Sequence, residues 1–331
     1  MGLGSLPGAA LGRVVDAVLE VSVVGSFGST GAQLRRVTGR WSSLPRLDGR
    51  SVVITGATSG IGWAAAAAMR GLGAHLTIVG RDEARTATAA ARLSSIGDTT
   101  DPVAIAVADL RSLRAARAFA DRFAATHAHL DVLVHNAGAL TAQYGRAPEG
   151  FEQTYAAQVL SPQLITATLL PLLRAADRGR VLTVSSGGMY TQALDPTGMQ
   201  LDEAHYDGVR AYALAKRAQV VLTQEWARRF PEPVQFHAMH PGWADTPGVQ
   251  ASLPTFRRVT RPILRTAQEG ADTLVWLAGV DPIPGSNGSF WLDRTPRGTE
   301  RLPGTRSTPQ ERAALWDQVC AQAGLDAASL G

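Results

Sequence analysis

Val52-Val53-Ile54-Thr55-Gly56-Ala57-Thr58-Ser59-Gly60-Ile61-Gly62 is a short apolar run that breaks into a glycine-rich turn and continues into an alanine-rich helical segment. A turn of this kind between a strand and a helix lets backbone N–H groups approach a pyrophosphate at the positive end of the helix. Six more apolar runs follow, at His75–Val79, Val103–Ala108, Val132–His135, Val181–Ser185, Val234–Met239 and Ser289–Leu292. Between them lie helical segments at 62–72, 111–127, 151–174, 210–230 and 268–279. Strands alternating with helices of this length predict an α/β fold, a doubly wound parallel sheet of about seven strands in a single domain. Residues 187–210 interrupt the rhythm as an inserted loop, and a last helix is expected over 309–323.

The bulk properties narrow the class. The chain has 331 residues, 45% hydrophobic and 18% charged, which is globular. Its net charge is only +4 and its arginines are scattered, so no nucleic-acid partner is expected. Cys320 is alone, and the histidines form no paired ligand pattern. No disulfide framework and no metal site are therefore expected, and a reducing cytoplasm fits. Residues 1–49 read as a helical N-terminal extension, 50–295 as the nucleotide-binding domain and 296–331 as a C-terminal loop and helix. In the extension, Val14, Val18 and Val21 fall at helical spacing, which predicts an amphipathic helix packed on the domain. Contact with a membrane surface is the weaker reading of the same pattern. Asp16 and Glu20 interrupt the apolar stretch, so neither a signal peptide nor a spanning helix is expected.

Of 32 basic residues, one is lysine: Lys216, four residues after Tyr212. Residues at i and i+4 share a helix face. A site that needs one compact ammonium beside one phenol explains the exception. A positive charge at about 4 Å is worth roughly 4 kcal/mol at an effective dielectric near 20, enough to lower a phenol by up to ~3 pK units. At the end of the second run, Gly80-Arg81-Asp82 places glycine where an acid would bind a ribose 2′-OH. Arg81 beside it suits a 2′-phosphate. Asp82 reads as the cap of the next helix. NADP(H) is therefore favoured over NAD(H).

The turn has the spacing T-G-x-x-x-G-x-G, and in this the chain resembles the short-chain dehydrogenase/reductases. The resemblance extends through Asp109-Leu110, Asn136-Ala137-Gly138, Ser185-Ser186, Tyr212-x-x-x-Lys216 and Pro241-Gly242-x-x-x-Thr246. Each falls at the carboxyl end of a run or just beyond, where open α/β sheets bind ligands. The stretches 184–189, 239–249 and 270–273 resemble one branch of the family that carries an N-terminal extension.

This resemblance implies a Rossmann-like fold and hydride transfer between a carbonyl or alcohol and NADP(H). It implies cofactor binding by Gly56, Thr58, Ser59, Gly60, Ile61, Gly62, Arg81, Asp109, Leu110, Asn136, Ala137, Gly138, Tyr212, Lys216, Pro241, Gly242 and Thr246. It further implies catalysis by Ser186, Tyr212 and Lys216, with Tyr212 as general acid or base and Ser186 donating to the substrate oxygen. Ser185 is left a structural duty. Where the family has an asparagine that kinks its helix and holds a water, this chain has Gln158, which could hold the same water from a shifted position. Relatives imply a homo-oligomer formed through the helices around Tyr212 and after Pro241. Met189, Tyr190, Leu194, Met199 and Leu201 make residues 187–210 a candidate lid for a bulky apolar substrate. Two other readings stand beside this one: a catalytically inactive nucleotide-binding redox sensor, and a sugar-nucleotide epimerase.

Overall fold

The computed structural model describes residues 8–20, 22–39, 41–252 and 254–326. Its sheet grows outward from β1 (Ser51–Thr55), whose Val52, Val53 and Ile54 are almost completely buried. Runs this apolar survive only where both faces of a sheet are covered. β1 pairs in parallel with β2 (His75–Gly80) on one side and β4 (Val132–His135) on the other. With β3 (Ala104–Val107), β5 (Arg180–Val184), β6 (Gln235–Met239), β7 (Phe290–Leu292) and β8 (Thr295–Arg297), the order is β3-β2-β1-β4-β5-β6-β7-β8. The order reverses at β1, so the crevice beside its carboxyl end is the switch point where ligands bind.

Among the described residues the sheet has eight strands, one more than expected. The extra strand, β8, is antiparallel to β7 and only three residues long. It follows a two-residue turn, Asp293-Arg294, with φ of 53° and 56°. That left-handed pair closes a tight hairpin, and Pro296 sits on the edge strand, where a missing donor costs little.

Side chains alternate across the sheet. Val53 and Leu133 point into a core formed with α6 (Leu113–Thr126), α8 (Ser161–Ala175), α9 (Gly208–Arg229) and α13 (Pro309–Gln322). Val52, Ile54, Val132 and Val134 point into the opposite core, with α4 (Gly60–Gly71), α5 (Glu83–Ser94) and α12 (Ala267–Gly279). α7 (Gln153–Tyr155) joins α8 through one π-helical turn, Ala156–Leu160. The rod from 153 to 175 is apolar enough to cross a membrane, but 78% of its most apolar window is buried inside this fold. Trp316 of α13 packs on Trp226 of α9 at 5.0 Å and on Phe230 at 6.3 Å. That end of α9 is thus covered within the chain.

The N-terminal extension forms α1 (Gly8–Glu20), α2 (Val23–Phe27) and α3 (Ser29–Thr38). The expected valine contact is corrected. Val14 and Val18 are 42% and 67% exposed, and Val21 lies outside the described residues. The anchoring face is the opposite one, because a residue two positions on is turned by about 200°. There Asp16 accepts from Arg35 Nε at 2.6 Å and Arg297 Nη1 at 2.7 Å, while Glu20 accepts from Arg35 Nη2 at 2.7 Å and pairs with Arg301. Arg35 continues inward to Asp293, which also takes Arg265.

Candidate active site

Two turns meet at the switch point. Gly56 (φ +70°) lies so close to the turn after β4 that a Cβ there would sit 2.8 Å from Ala137 Cα. A Cβ on Gly62 would sit 2.2 Å from Asn136 Nδ2. The Asn136 amide donates to the carbonyls of Thr55 and Gly56 at 3.0 and 3.1 Å. Thr55 Oγ1 in turn accepts from the backbone N–H of Asn136 and Ala137, both at 3.0 Å. Asn136 and Ala137 therefore hold the glycine-rich turn in shape. Ser59 is the extended residue before α4, and Ile61 packs on the core beneath. Gly60 faces Thr246, 3.5 Å from where its Cβ would be. This brings the loop after β6 over the turn.

At the end of β2 a Cβ on Gly80 would meet Thr86 Oγ1 at 2.1 Å and Thr58 Cγ2 at 3.3 Å, so an acid has no room there. Asp82 caps α5, accepting from Arg85 N at 2.8 Å. Arg81 is the neighbour left facing outward, and it is among the charges that lower the Asp109 carboxyl. The largest of those is the Asp109 hydrogen bond to Arg111, with Nη2 at 2.5 Å. Leu110 is buried in the core and its carbonyl accepts from Ser161 Oγ at 2.6 Å. A cleft of about 280 Å³ beside Thr58 is lined by Ala84, Arg85, Thr88, Ala89 and Arg92. The sequence reading missed its two arginines. Their signal was present in the four- and seven-residue steps from Arg85 back to Arg81 and on to Arg92.

Ser186, Tyr212 and Lys216 come together. Ser186 begins a 3-10 turn (Gly187–Thr191), accepts from Gly188 N at 3.2 Å and lies close enough to the Tyr212 hydroxyl to oppose the rise in its pKa. Ser185 points the other way and donates to the Lys216 carbonyl at 2.9 Å. α9 starts at the Asp207 cap, whose carboxylate accepts from Val209 N and Arg210 N, and so carries Tyr212 and Lys216 one turn apart. The ammonium lies over the tyrosine ring, 5.2 Å from its centroid. It donates to Val184 O at 2.9 Å and to Gln219 Oε1 at 3.1 Å.

This geometry corrects the expectation that Lys216 lowers the phenol. Burial pushes Tyr212 up, against the opposing effect of Ser186. Burial pulls Lys216 from its ordinary 10.5 down to about 7. The ammonium lies over the ring and is engaged by two neutral oxygens.

Gln158 lies in the π turn. Its Nε2 donates to Ala139 O at 2.9 Å, and its Oε1 is buried with no partner among the described residues. A Cβ on Gly138 would meet Gln158 Oε1 at 2.8 Å and Lys216 Nζ at 3.3 Å, so this glycine lets the two side chains close on one spot. Pro241 and Gly242 are fixed from outside. The Trp243 N–H donates to Phe27 O at 2.9 Å, and a Cβ on Gly242 would meet Arg265 Nε at 2.4 Å and Phe27 O at 2.7 Å.

The lid expectation is also corrected. Met189, Tyr190, Leu194 and Met199 are buried in the protein core, and Leu201 packs against it. The Tyr190 hydroxyl donates to Gly298 O at 2.9 Å. Residues 187–201 are thus a fixed wall, because their apolar side chains turn inward and satisfy one another. Gln219 was missed altogether. As an ordinary polar residue three positions after Lys216, it carries no motif.

A model of the short chain dehydrogenase family matches residues 50–255. The chain is 36% identical over 272 residues to dehydrogenase/reductase SDR family member 12 of Bos taurus, covering 82% of this chain and 85% of that protein. It is 31% identical over 287 residues to retinol dehydrogenase 14 of Mus musculus, again covering 82% and 85%. Among solved structures, a protein from Mycobacterium paratuberculosis superposes with a TM-score of 0.69 at 26% identity, covering 86% of this chain and 98% of that chain. The RhlG/NADP active-site complex of Pseudomonas aeruginosa superposes with a TM-score of 0.59 at 26% identity, covering 74% and 94%.

Proposed function

The chain belongs to the short chain dehydrogenase family, and on that premise we propose that it is an NADP(H)-dependent oxidoreductase interconverting a carbonyl and an alcohol. The observation that carries this reading is the meeting of Ser186, Tyr212 and Lys216 beside a glycine-rich turn built for close backbone approach. The residues fit a dinucleotide. The turn at 56–62 would take its pyrophosphate, Asp109 and Leu110 would lie at its adenine, and Pro241, Gly242 and Thr246 at its nicotinamide end. When bound, NADPH supplies the hydride.

The chain supplies the proton. Tyr212, with its pKa raised by burial, is a phenol at neutral pH and can donate its proton to a carbonyl oxygen. Ser186 lies beside it and stabilises the charge that builds on that oxygen. Lys216, near its own midpoint at neutral pH and lying over the same ring, can supply the replacement proton. This arrangement favours carbonyl reduction, and the intact trio weighs against a catalytically inactive redox sensor.

The closed position at Gly80, the use of Asp82 as a cap and the exposed Arg81 beside an arginine-lined cleft support NADP over NAD. The NADP complex among the structural relatives supports the same choice. NADPH and NADH binding, read by quenching of tryptophan fluorescence, tests it. NADPH should bind about 10- to 100-fold more tightly, the worth of one charge-assisted contact, and Arg81→Ala should erase most of that gap. Equal affinities in the parent protein contradict the cofactor assignment.

A further inference from the structure

We propose that Gln219 is the positioning residue for Lys216, a neutral clamp that fixes the ammonium while denying it a counter-charge. The inference deepens the reading above and rests on it. Gln219 is 4% exposed, and both ends of its carboxamide are engaged. Its Oε1 accepts from Lys216 Nζ at 3.1 Å, and its Nε2 donates to the backbone carbonyl of Gln158 at 2.8 Å.

The sequence explains why that carbonyl needs a partner. In a regular helix it would accept from the N–H of residue 162, but residue 162 is proline and has no N–H. The π turn at 156–160 breaks the ladder at the same place. A carbonyl released by Pro162 thus orients the amide that orients the lysine. Gln219 can play both parts only as an amide: a carboxylate could not donate to Gln158 O, and an ammonium could not accept from Lys216.

Behind this chain of contacts lies a cavity of about 30 Å³, lined by Gln158, Gln163, Gln219, His135, Thr166, Thr183 and Thr223 among others. It is large enough for a water molecule and polar enough to hold one. Two buried atoms of its lining residues, Gln158 Oε1 and His135 Nδ1, have no partner among the described residues. The clamp therefore stands between Lys216 and a polar interior.

Few titratable groups face Lys216. Tyr212 is on its own helix, its ring 5.2 Å away. His135 comes from β4 across the cavity, and burial holds it neutral, pushed down to about 3. β5 offers only the Val184 carbonyl, and the π turn only Gln158. No carboxylate pairs with Lys216 among the described residues. An ammonium held by carbonyl oxygens alone stays titratable, whereas a carboxylate in the place of Gln219 would lock its charge.

Because Lys216 is the only lysine, protein labelled with ¹³C at lysine Cε gives one lysine signal, and its pH titration reads this residue alone. The titration is run without nucleotide on the parent, Gln219→Glu and Gln219→Leu. Gln219→Glu should raise the midpoint by about 1–3 pH units, as an opposite charge at contact distance does, and Gln219→Leu should lower it by removing an acceptor. The pH profile of NADPH-dependent reduction, on a panel of aldehydes and ketones, should move in the same directions. A common lysine midpoint in all three proteins overturns the assignment of Gln219. A parent that reduces no carbonyl while the midpoints still separate overturns the proposed function and leaves the clamp standing.

Discussion

Arg265 and Lys216 are buried to nearly the same degree, 1% and 3% exposed, and are partnered in opposite ways. Arg265 makes a two-pronged pair with Asp293, at 2.6 and 2.9 Å, and spends its remaining donors on the carbonyls of Ser26, Phe27 and Pro241. Arg35 completes the cage from α3, at 2.8 Å from the same carboxylate. Lys216 meets two neutral oxygens and the face of a tyrosine. A cation wrapped around a carboxylate has its charge fixed and can only hold parts together. A cation given only neutral acceptors keeps a movable proton. The rigid five-donor fork of arginine suits the first task and the compact ammonium of lysine the second, which gives a physical reason for one lysine among 32 basic residues.

The contrast can be broken most severely at Asp293. Burial pushes this carboxyl up, but Arg265 and Arg35 outweigh it and hold the group below its ordinary value. Asp293→Ala should cost about 3–5 kcal/mol of stability, because it leaves Arg265 buried without its counter-charge and takes from Arg35 one of three carboxylates. Chemical denaturation measures this, and a loss below about 1 kcal/mol would mean that the cage is not structural. The same variant should loosen the extension from the loop at 241–243, since Arg265 also holds the carbonyls of Ser26 and Phe27.

The opposite test is at Lys216. Its folded pKa is depressed, so the unfolded chain binds the extra proton between about 7 and 10.5, and stability must rise with pH across that window. The rise should approach about 1.4 kcal/mol per pH unit. Lys216→Met should lose this rise while keeping the fold, and subtracting the two denaturation series isolates the lysine from the tyrosines and Cys320. Parallel stability curves for the parent and the variant would show that Lys216 is paired after all.

The two regions also differed in how legible they were. Strands buried on both faces write their burial as continuous apolar runs, and even the exposed edge strand β3 keeps an apolar run, so seven of the eight strands were readable, and with them the turns at their carboxyl ends. β8 was not, because three residues with a central proline carry no pattern. The trio of Ser186, Tyr212 and Lys216 was readable because its spacing is local to one helix and one strand end. The arginine cage was not, since Arg35 and Asp293 are far apart in the chain and only the fold joins them. For the same reason the valines of α1 misled: an apolar stripe marks a face but does not name what covers it, and here the carboxylate face won the contact. The apolar residues of 187–201 show the same limit, since composition gives their amount and not their direction.

The most direct test of the proton-donor assignment is Tyr212→Phe, studied by NADPH binding and by turnover on every carbonyl the parent accepts. Removing one hydroxyl takes away the proton donor and leaves the glycine-rich turn, Arg81 and Lys216 in place. Binding should stay within about twofold, and turnover should fall by about 10²-fold or more, the range of a lost general acid. Turnover near the parent's rate would contradict the assignment of Tyr212 and, with it, the division between one lysine that moves a proton and arginines that hold the fold.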